Sequence, residues 1–233
     1  MQSFRHRSQE KEFLDQPEIN KKDLERNLWE LDYINSHLGG HNVTIKGIEH
    51  FLNKNNTIKS IIDVGCGGGD TLAALSNFFA KKNIQVKLTG IDLLPEAIEF
   101  AKNKYGGLNI DFICTDYKDY PIANKHDLAI NSLICHHLYE NELFNFISFN
   151  RNISNYGFII NDLHRHPLAY YSIGVLTKLF SKSYMVKNDA PLSVKKGFIK
   201  GELSEVLKSS QIPKFKISWE WAFRLLVIAE NEN

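Results

Sequence analysis

Between Lys21 and Leu38, apolar residues recur at steps of three and four (Leu24, Leu28, Leu31, Ile34, Leu38), which is one face of a helix. Gly39-Gly40 ends it, and a second short helix is expected from Thr44 to Leu52, before the polar run Asn53-Lys54-Asn55-Asn56. From Ile58 the pattern changes to short apolar runs alternating with helical ones. Strands are expected at Ser60–Val64, Val86–Ile91, Ile110–Cys114, from Leu128-Ala129-Ile130, and at Phe158-Ile159-Ile160. Helices are expected at Asp70–Lys82, Pro95–Tyr105 and Asn141–Asn150, the second opened by a proline suited to a first turn. Wholly apolar strands between helices indicate a parallel sheet covered on both faces.

Beyond the fifth strand the pattern loosens. Leu168–Phe180 is apolar but is interrupted by Gly174 and Lys178 and is too short to span a bilayer. A helix is expected over Gly201–Ser210, ahead of Pro213. Phe215, Ile217, Trp219, Trp221 and Phe223 then share one face, expected as plain core, and the run Leu225–Ala229 follows. Two strands forming a terminal antiparallel hairpin account for this tail. The chain reads as one domain, with a helical cap (1–57), a sheet core (58–164), a lid insertion (165–200) and a closing helix and hairpin (201–233).

Composition narrows the function classes. The 233 residues carry 28 Lys+Arg and 27 Asp+Glu, a formal charge of +1, which argues against a nucleic-acid partner. Cys66, Cys114 and Cys135 match neither a disulfide framework nor a zinc ribbon. MQSFRHRSQEKEF lacks the apolar stretch of a signal peptide, and no run reaches 18 apolar residues. A cytoplasmic protein without a transmembrane segment is expected; the oligomeric state is left undetermined.

The chemistry centres on Asp63-Val64-Gly65-Cys66-Gly67-Gly68-Gly69-Asp70, where a strand turns into a helix. Glycines permit a sharp turn and close approach of a ligand, and amides at a helix start favour a carboxylate or phosphate. The spacing is G-x-G-x-G, with Asp70 where a dinucleotide fingerprint requires its third glycine, and no Gly-Lys-Ser/Thr follows. Asp63 would crowd a pyrophosphate but accept bonds from an ammonium, so a zwitterionic ligand is favoured.

On these residues the chain resembles class I S-adenosylmethionine-dependent methyltransferases. The resemblance implies a Rossmann-like α/β fold with a mostly parallel seven-stranded sheet. It implies S-adenosylmethionine as cofactor, S-adenosylhomocysteine as product and a small-molecule methyl acceptor as partner. Asp63, Gly65, Cys66, Gly67 and Gly69 would hold the methionine end, Asp92 with Leu93 the ribose, and Asp116 with Tyr117 the adenine. Asn131 or Ser132 would lie beneath the methionine portion.

Four of the nine histidines, His136, His137, His164 and His166, follow strands four and five, at the sheet edge where ligands gather. His164 is the expected general base, with His137 the other catalytic candidate. His136, Arg165, Tyr170 and Tyr171 are expected to face the acceptor. No cysteine or carboxylate shows ligand spacing with these histidines, so no metal is expected. Glu12-Phe13-Leu14-Asp15, Leu38-Gly39-Gly40, Asp162-Leu163-His164-Arg165, Asp189 and Ser193-Val194 resemble bacterial methyltransferases found beside type III polyketide synthases, which act on phenolic or pyrone-like hydroxyls. Lys195-Lys196 stand where that group carries Arg. The rival readings are a cofactor-binding but silent module and a nicotinamide-dependent oxidoreductase.

Overall fold

The computed structural model describes residues 4–15, 19–54 and 57–232. Asn55 and Asn56, in the polar run noted above, lie outside them. Seven strands form one sheet in the order β3-β2-β1-β4-β5-β7-β6. They are β1 (Ser60–Val64), β2 (Lys87–Asp92), β3 (Ile110–Cys114), β4 (His126–Ser132), β5 (Ser154–Leu163), β6 (Lys214–Glu220) and β7 (Arg224–Glu230). The first five run parallel, and β7 pairs antiparallel with both β5 and β6. The strand order reverses at β1, so the carboxyl ends of β1 and β4 open a crevice where ligands bind in such sheets.

Helices cover both faces. α5 (Glu140–Ile153) and α8 (Lys200–Ser209) bury Leu143, Phe146, Ile147, Leu203 and Leu207 against Ile62, Ala129, Phe158 and Ile160. α2 (Gly40–Leu52), α3 (Asp70–Lys81) and α4 (Pro95–Tyr105) bury Ile48, Phe51, Leu72, Leu75 and Ile98 against Ile61, Leu88, Leu128 and Ile159. Each such side chain contributes about 1.5–3 kcal/mol relative to leaving it in water. α1 (Lys21–His37) splits its apolar face. Leu24 and Leu28 pack on Ala97 of α4, whereas Leu31, Ile34 and Leu38 line a cavity. Among the described residues no helix is long and apolar enough to cross a membrane.

Two expectations are corrected. The lid region contains α6 (Pro167–Phe180) and a second helix, α7 (Tyr184–Lys196), which the apolar pattern did not announce. The buried face of α7 is Met185, Val186, Asp189, Leu192, Val194 and Lys196. Two charged members and the internal Pro191 break its hydrophobic period. The tail aromatics are not all core either: Ile217 is buried, but Trp219 is 50% and Trp221 66% exposed. β6 is an edge strand, and Trp221 lies beyond its end, in the turn to β7.

Candidate functional site

The glycine loop leaves β1 and folds back on β2. Gly65 N and Cys66 N donate to Ile91 O (2.8 and 3.0 Å), and Gly67 N donates to Asp92 Oδ2 (2.8 Å). Asp92 Oδ1 accepts from Leu94 N at 2.9 Å. Gly65, Gly67 and Gly69 all have positive φ. A Cβ on Gly65 would lie 2.1 Å from Ile134 Cδ1, whereas one on Gly67 would meet nothing nearer than Leu28 Cδ2 at 3.9 Å. Gly65→Ala is therefore expected to cost about 2–4 kcal/mol, from left-handed backbone plus overpacking. Gly67→Ala should carry only the backbone cost, about 1–2 kcal/mol, while placing a methyl group in the open crevice. Thermal unfolding separates the two variants.

Three carboxylates face this loop. Asp63 is 1% exposed, and its Oδ1 has no hydrogen-bond partner among the described residues. Burial pushes its pKa well up, and the nearby charges of Asp70 and Asp92 push it further. Burial also raises Asp92, against the backbone amides of Leu94, Gly67 and Leu93, which favour its charged form. Gly69, the N-cap of α3, provides no side-chain cap, leaving the first-turn amides of that helix for another acceptor. The crevice thus combines a surplus of negative charge, an unsatisfied buried oxygen and helix-start donors. It suits a ligand with a cationic part and a carboxylate.

The structure places the other expected residues unevenly. The Cys66 side chain is buried against Gly90 in the core, so only its main chain belongs to the loop. Leu93 is 64% exposed beside Asp92. Asp116 closes a turn by accepting from Lys118 N at 2.9 Å. Tyr117 packs edge-on against Phe146, and its buried hydroxyl has no partner among the described residues. Ser132 is half-buried at the end of β4. The Asn131 side chain instead turns to the α5 face and donates to Asn150 Oδ1 (3.1 Å) and Ile130 O (2.7 Å). The alternation of β4 decides this, since Ile130 packs on the opposite face.

A cavity of about 270 Å³ opens between α1, α6, α7 and the turn before β7. Leu31, Ile34, Leu38, Leu133, Ile173 and Leu176 make its wall mostly apolar, and its polar lining includes Glu12, Asn35, His136, His137, Asp189 and Arg224. His137 Nδ1 lies 2.8 Å from Asp15 Oδ1 and 3.4 Å from Lys196 Nζ. The shorter contact is to an acceptor, so Nδ1 carries the proton, and Nε2, with Glu12 Oε2 at 3.8 Å, is the basic nitrogen. His136 Nδ1 is held by Asp162 Oδ1 at 2.8 Å, and the His136 amide donates to Asp162 Oδ2 at 3.2 Å. Although burial raises its pKa, Asp162 is held below the usual carboxylate range by the charge and hydrogen bond of His136.

Sequence reasoning missed Glu12, Asp15 and Lys196 as partners of the histidines, because 59 residues of chain separate Lys196 from His137 and more than a hundred separate the two carboxylates from the pair. Glu12, His136 and His137 offer atoms within 4.8 Å of one another, a spacing a metal ion could use. Lys196 already supplies a cation there, 3.2 Å from Glu12 Oε1 and 3.0 Å from Asp15 Oδ2.

Four expected acceptor-side residues do not line the cavity. The His164 ring lies 5.6 Å from that of His166, and its backbone is tied to Phe223 and Phe198. Its Nδ1 is buried without a partner among the described residues, and burial lowers its pKa. Arg165 is consumed internally: its guanidinium donates to Glu202 (2.6 and 3.0 Å), Gly197 O (2.7 Å) and Phe4 O (2.9 Å). Tyr170 packs on Phe4 and Tyr171 is 59% exposed, because α6 turns Ala169, Ser172, Ile173 and Leu176 inward instead.

Residues 61–153 match the sequence model of the family described as methyltransferase domain. A malonyl-(acyl-carrier protein) O-methyltransferase of Acetivibrio thermocellus is 32% identical over 72 residues, 31% of this chain and 24% of that relative. A fatty-acid O-methyltransferase of Mycolicibacterium smegmatis is 28% identical over 81 residues, 35% of this chain and 28% of the relative. The matched stretch spans about a quarter of the length of these curated relatives. Among solved structures, the plantazolicin methyltransferase BpumL in complex with SAH shares the fold at a TM-score of 0.68 and 20% identity, over 91% of this chain and 95% of that one. Human N-acetylserotonin methyltransferase in complex with SAM does so at 0.66 and 16% identity, over 92% of this chain and 57% of that one. The sheet order, the glycine loop and the family pattern thus agree over residues 61–153, the stretch that is similar to a methyltransferase domain.

Proposed function

We propose that the protein transfers a methyl group from S-adenosylmethionine to oxygen on a small molecule, a phenolic or polyketide-type hydroxyl. The observation that carries this reading is Asp63, a buried carboxylate with an unpaired oxygen among further negative charges, which calls for a cationic ligand. When bound, S-adenosylmethionine supplies an electrophilic methyl group on a sulfonium. Asp63 would accept from its ammonium and Asp92 from its ribose hydroxyls, and the α3 amides would meet its carboxylate. Asp116 would receive the adenine, with Tyr117 beside it. The curated relatives are named as O-methyltransferases, which supports transfer to oxygen.

The apolar cavity would exclude water and orient the acceptor, and orientation alone can contribute up to ~7–11 kcal/mol. His137 Nε2 would take the hydroxyl proton, and Asp15 would hold the ring in the tautomer that allows it. His136, fixed by Asp162, would present its edge to the same cavity.

Methyl transfer from labelled S-adenosylmethionine to a phenol panel tests the reading. Cofactor binding with no transfer to any phenol would mark a silent module, and a thermal shift with NADH but none with S-adenosylmethionine an oxidoreductase. A second expected result concerns protons. Asp63 holds one up to higher pH than an ordinary carboxyl, and an ammonium requires it charged. S-adenosylhomocysteine binding should therefore release protons, and its affinity should fall as pH drops through that raised range. Calorimetry in buffers of different ionisation heat reads the release directly.

A further inference from the structure

Among the described residues, a buried cation with no carboxylate in direct contact stands in the wall of the acceptor cavity, favoured only from further off by the charges of Asp162 and Asp70. Arg224 opens β7, is 6% exposed and lines the cavity. Among the described residues its hydrogen bonds go to neutral amide oxygens, from Nη2 to Asn35 Oδ1 at 2.8 Å and from Nη1 to Asn161 Oδ1 at 3.4 Å. These use two of the five N–H donors of a guanidinium. Burial brings its pKa down to about 10, so it remains charged at neutral pH.

Other charges around the cavity are matched. Lys196 lies 3.2 Å from Glu12, Asp189 accepts from Phe13 N and Leu14 N at 2.9 and 3.1 Å, and Arg165 pairs with Glu202 at 2.6 Å. A buried charge is costly unless it is paired. The amides beside Arg224 are themselves anchored, Asn35 to Asp70 Oδ2 at 3.0 Å and Asn161 to Gly40 O at 2.8 Å, which fixes the guanidinium in place. Gly40 leaves it room, since a Cβ there would come within 3.0 Å of Nη2.

We propose that Arg224 receives a carboxylate of the methyl acceptor, so that the substrate is a phenolic acid rather than a neutral phenol. A planar guanidinium takes a carboxylate through paired hydrogen bonds, and the apolar wall holds the ring. A cavity of ~150 Å³ admits benzene, so one of about 270 Å³ takes a substituted ring. The inference rests on the methyltransferase reading. The carboxylate is the anchor, and a hydroxyl elsewhere on the ring receives the methyl group.

The test is calorimetry, with and without S-adenosylhomocysteine, on matched acids and methyl esters: 3,4-dihydroxybenzoate, 4-hydroxycinnamate and 2,4-dihydroxy-6-methylbenzoate. At least one acid should bind about 30-fold or more tighter than its ester, the scale of a buried charge pair. Arg224→Gln should erase that preference, and Arg224→Lys should keep part of it, both with cofactor affinity unchanged. Equal binding of acid and ester, binding of no acid, or a preference that survives Arg224→Gln would overturn the proposal. So would S-adenosylhomocysteine affinity falling in both variants, which would give Arg224 to the cofactor's own carboxylate. If Arg224→Gln does not fold, the wild-type comparison and Arg224→Lys decide. Failure of the wild type to bind S-adenosylhomocysteine would instead sink the methyltransferase reading, and a methyl ester product the hydroxyl reading.

Discussion

Asp92→Ala should weaken S-adenosylhomocysteine binding by two orders of magnitude or more. Each oxygen of Asp92 already accepts one amide, from Gly67 at 2.8 Å and Leu94 at 2.9 Å, and each keeps a further lone pair. Two added hydrogen bonds to a charged acceptor contribute about 3–6 kcal/mol, or roughly 10²–10⁴-fold in affinity. The substitution also frees the Gly67 amide, loosening the loop itself. Asp92→Asn keeps one acceptor oxygen and should fall between. Calorimetry with S-adenosylhomocysteine measures all three proteins, and an unchanged affinity in Asp92→Ala would move the nucleoside away from β2.

His137→Ala should lower turnover by about 10²–10⁴-fold, the usual range for a general base, and leave cofactor affinity intact. Asp15→Asn should act in the same direction with a smaller effect, because Asp15 touches only the far nitrogen of the ring, at 2.8 Å. His164→Ala serves as the contrast: its ring faces His166 rather than the cavity, so its turnover should stay near that of the wild type. Wild-type turnover in His137→Ala would leave orientation as the sole source of the rate.

The core was legible because each element had a local signal. Apolar runs of strand length, Pro95 at a first helical turn and the glycine cluster at a strand end place β1 to β3 and α3 to α4 within a residue or two. Asp63, Gly67 and Asp92 converge in the structure because strand order alone brings the β1 and β2 ends together.

The acceptor side was less legible, for the opposite reason. Glu12, Lys196 and Arg224 are charged residues placed where an apolar pattern expects hydrophobes, and the groups that each touches lie far away in sequence. Arg165 looked like a ligand because it sits at a strand end, yet Glu202, a residue of α8, engages it. Tyr170 and Tyr171 show a different limit. Periodicity says that a helix has two faces but not which of them turns inward when both are apolar.

The amino-terminal segment has a consequence for how the molecule assembles. Arg7 donates to His136 O (2.8 Å), Leu138 O (2.9 Å) and Lys196 O (2.8 Å), with its guanidinium between the rings of Tyr139 and Phe198. Ser8, Phe13 and Leu14 bond to α7, at the other end of the chain. Closing loops of that length carries an entropy cost that neighbouring strands do not meet. The crevice at the glycine loop, built by neighbouring strands, can therefore be complete before this strap adds its wall to the apolar cavity.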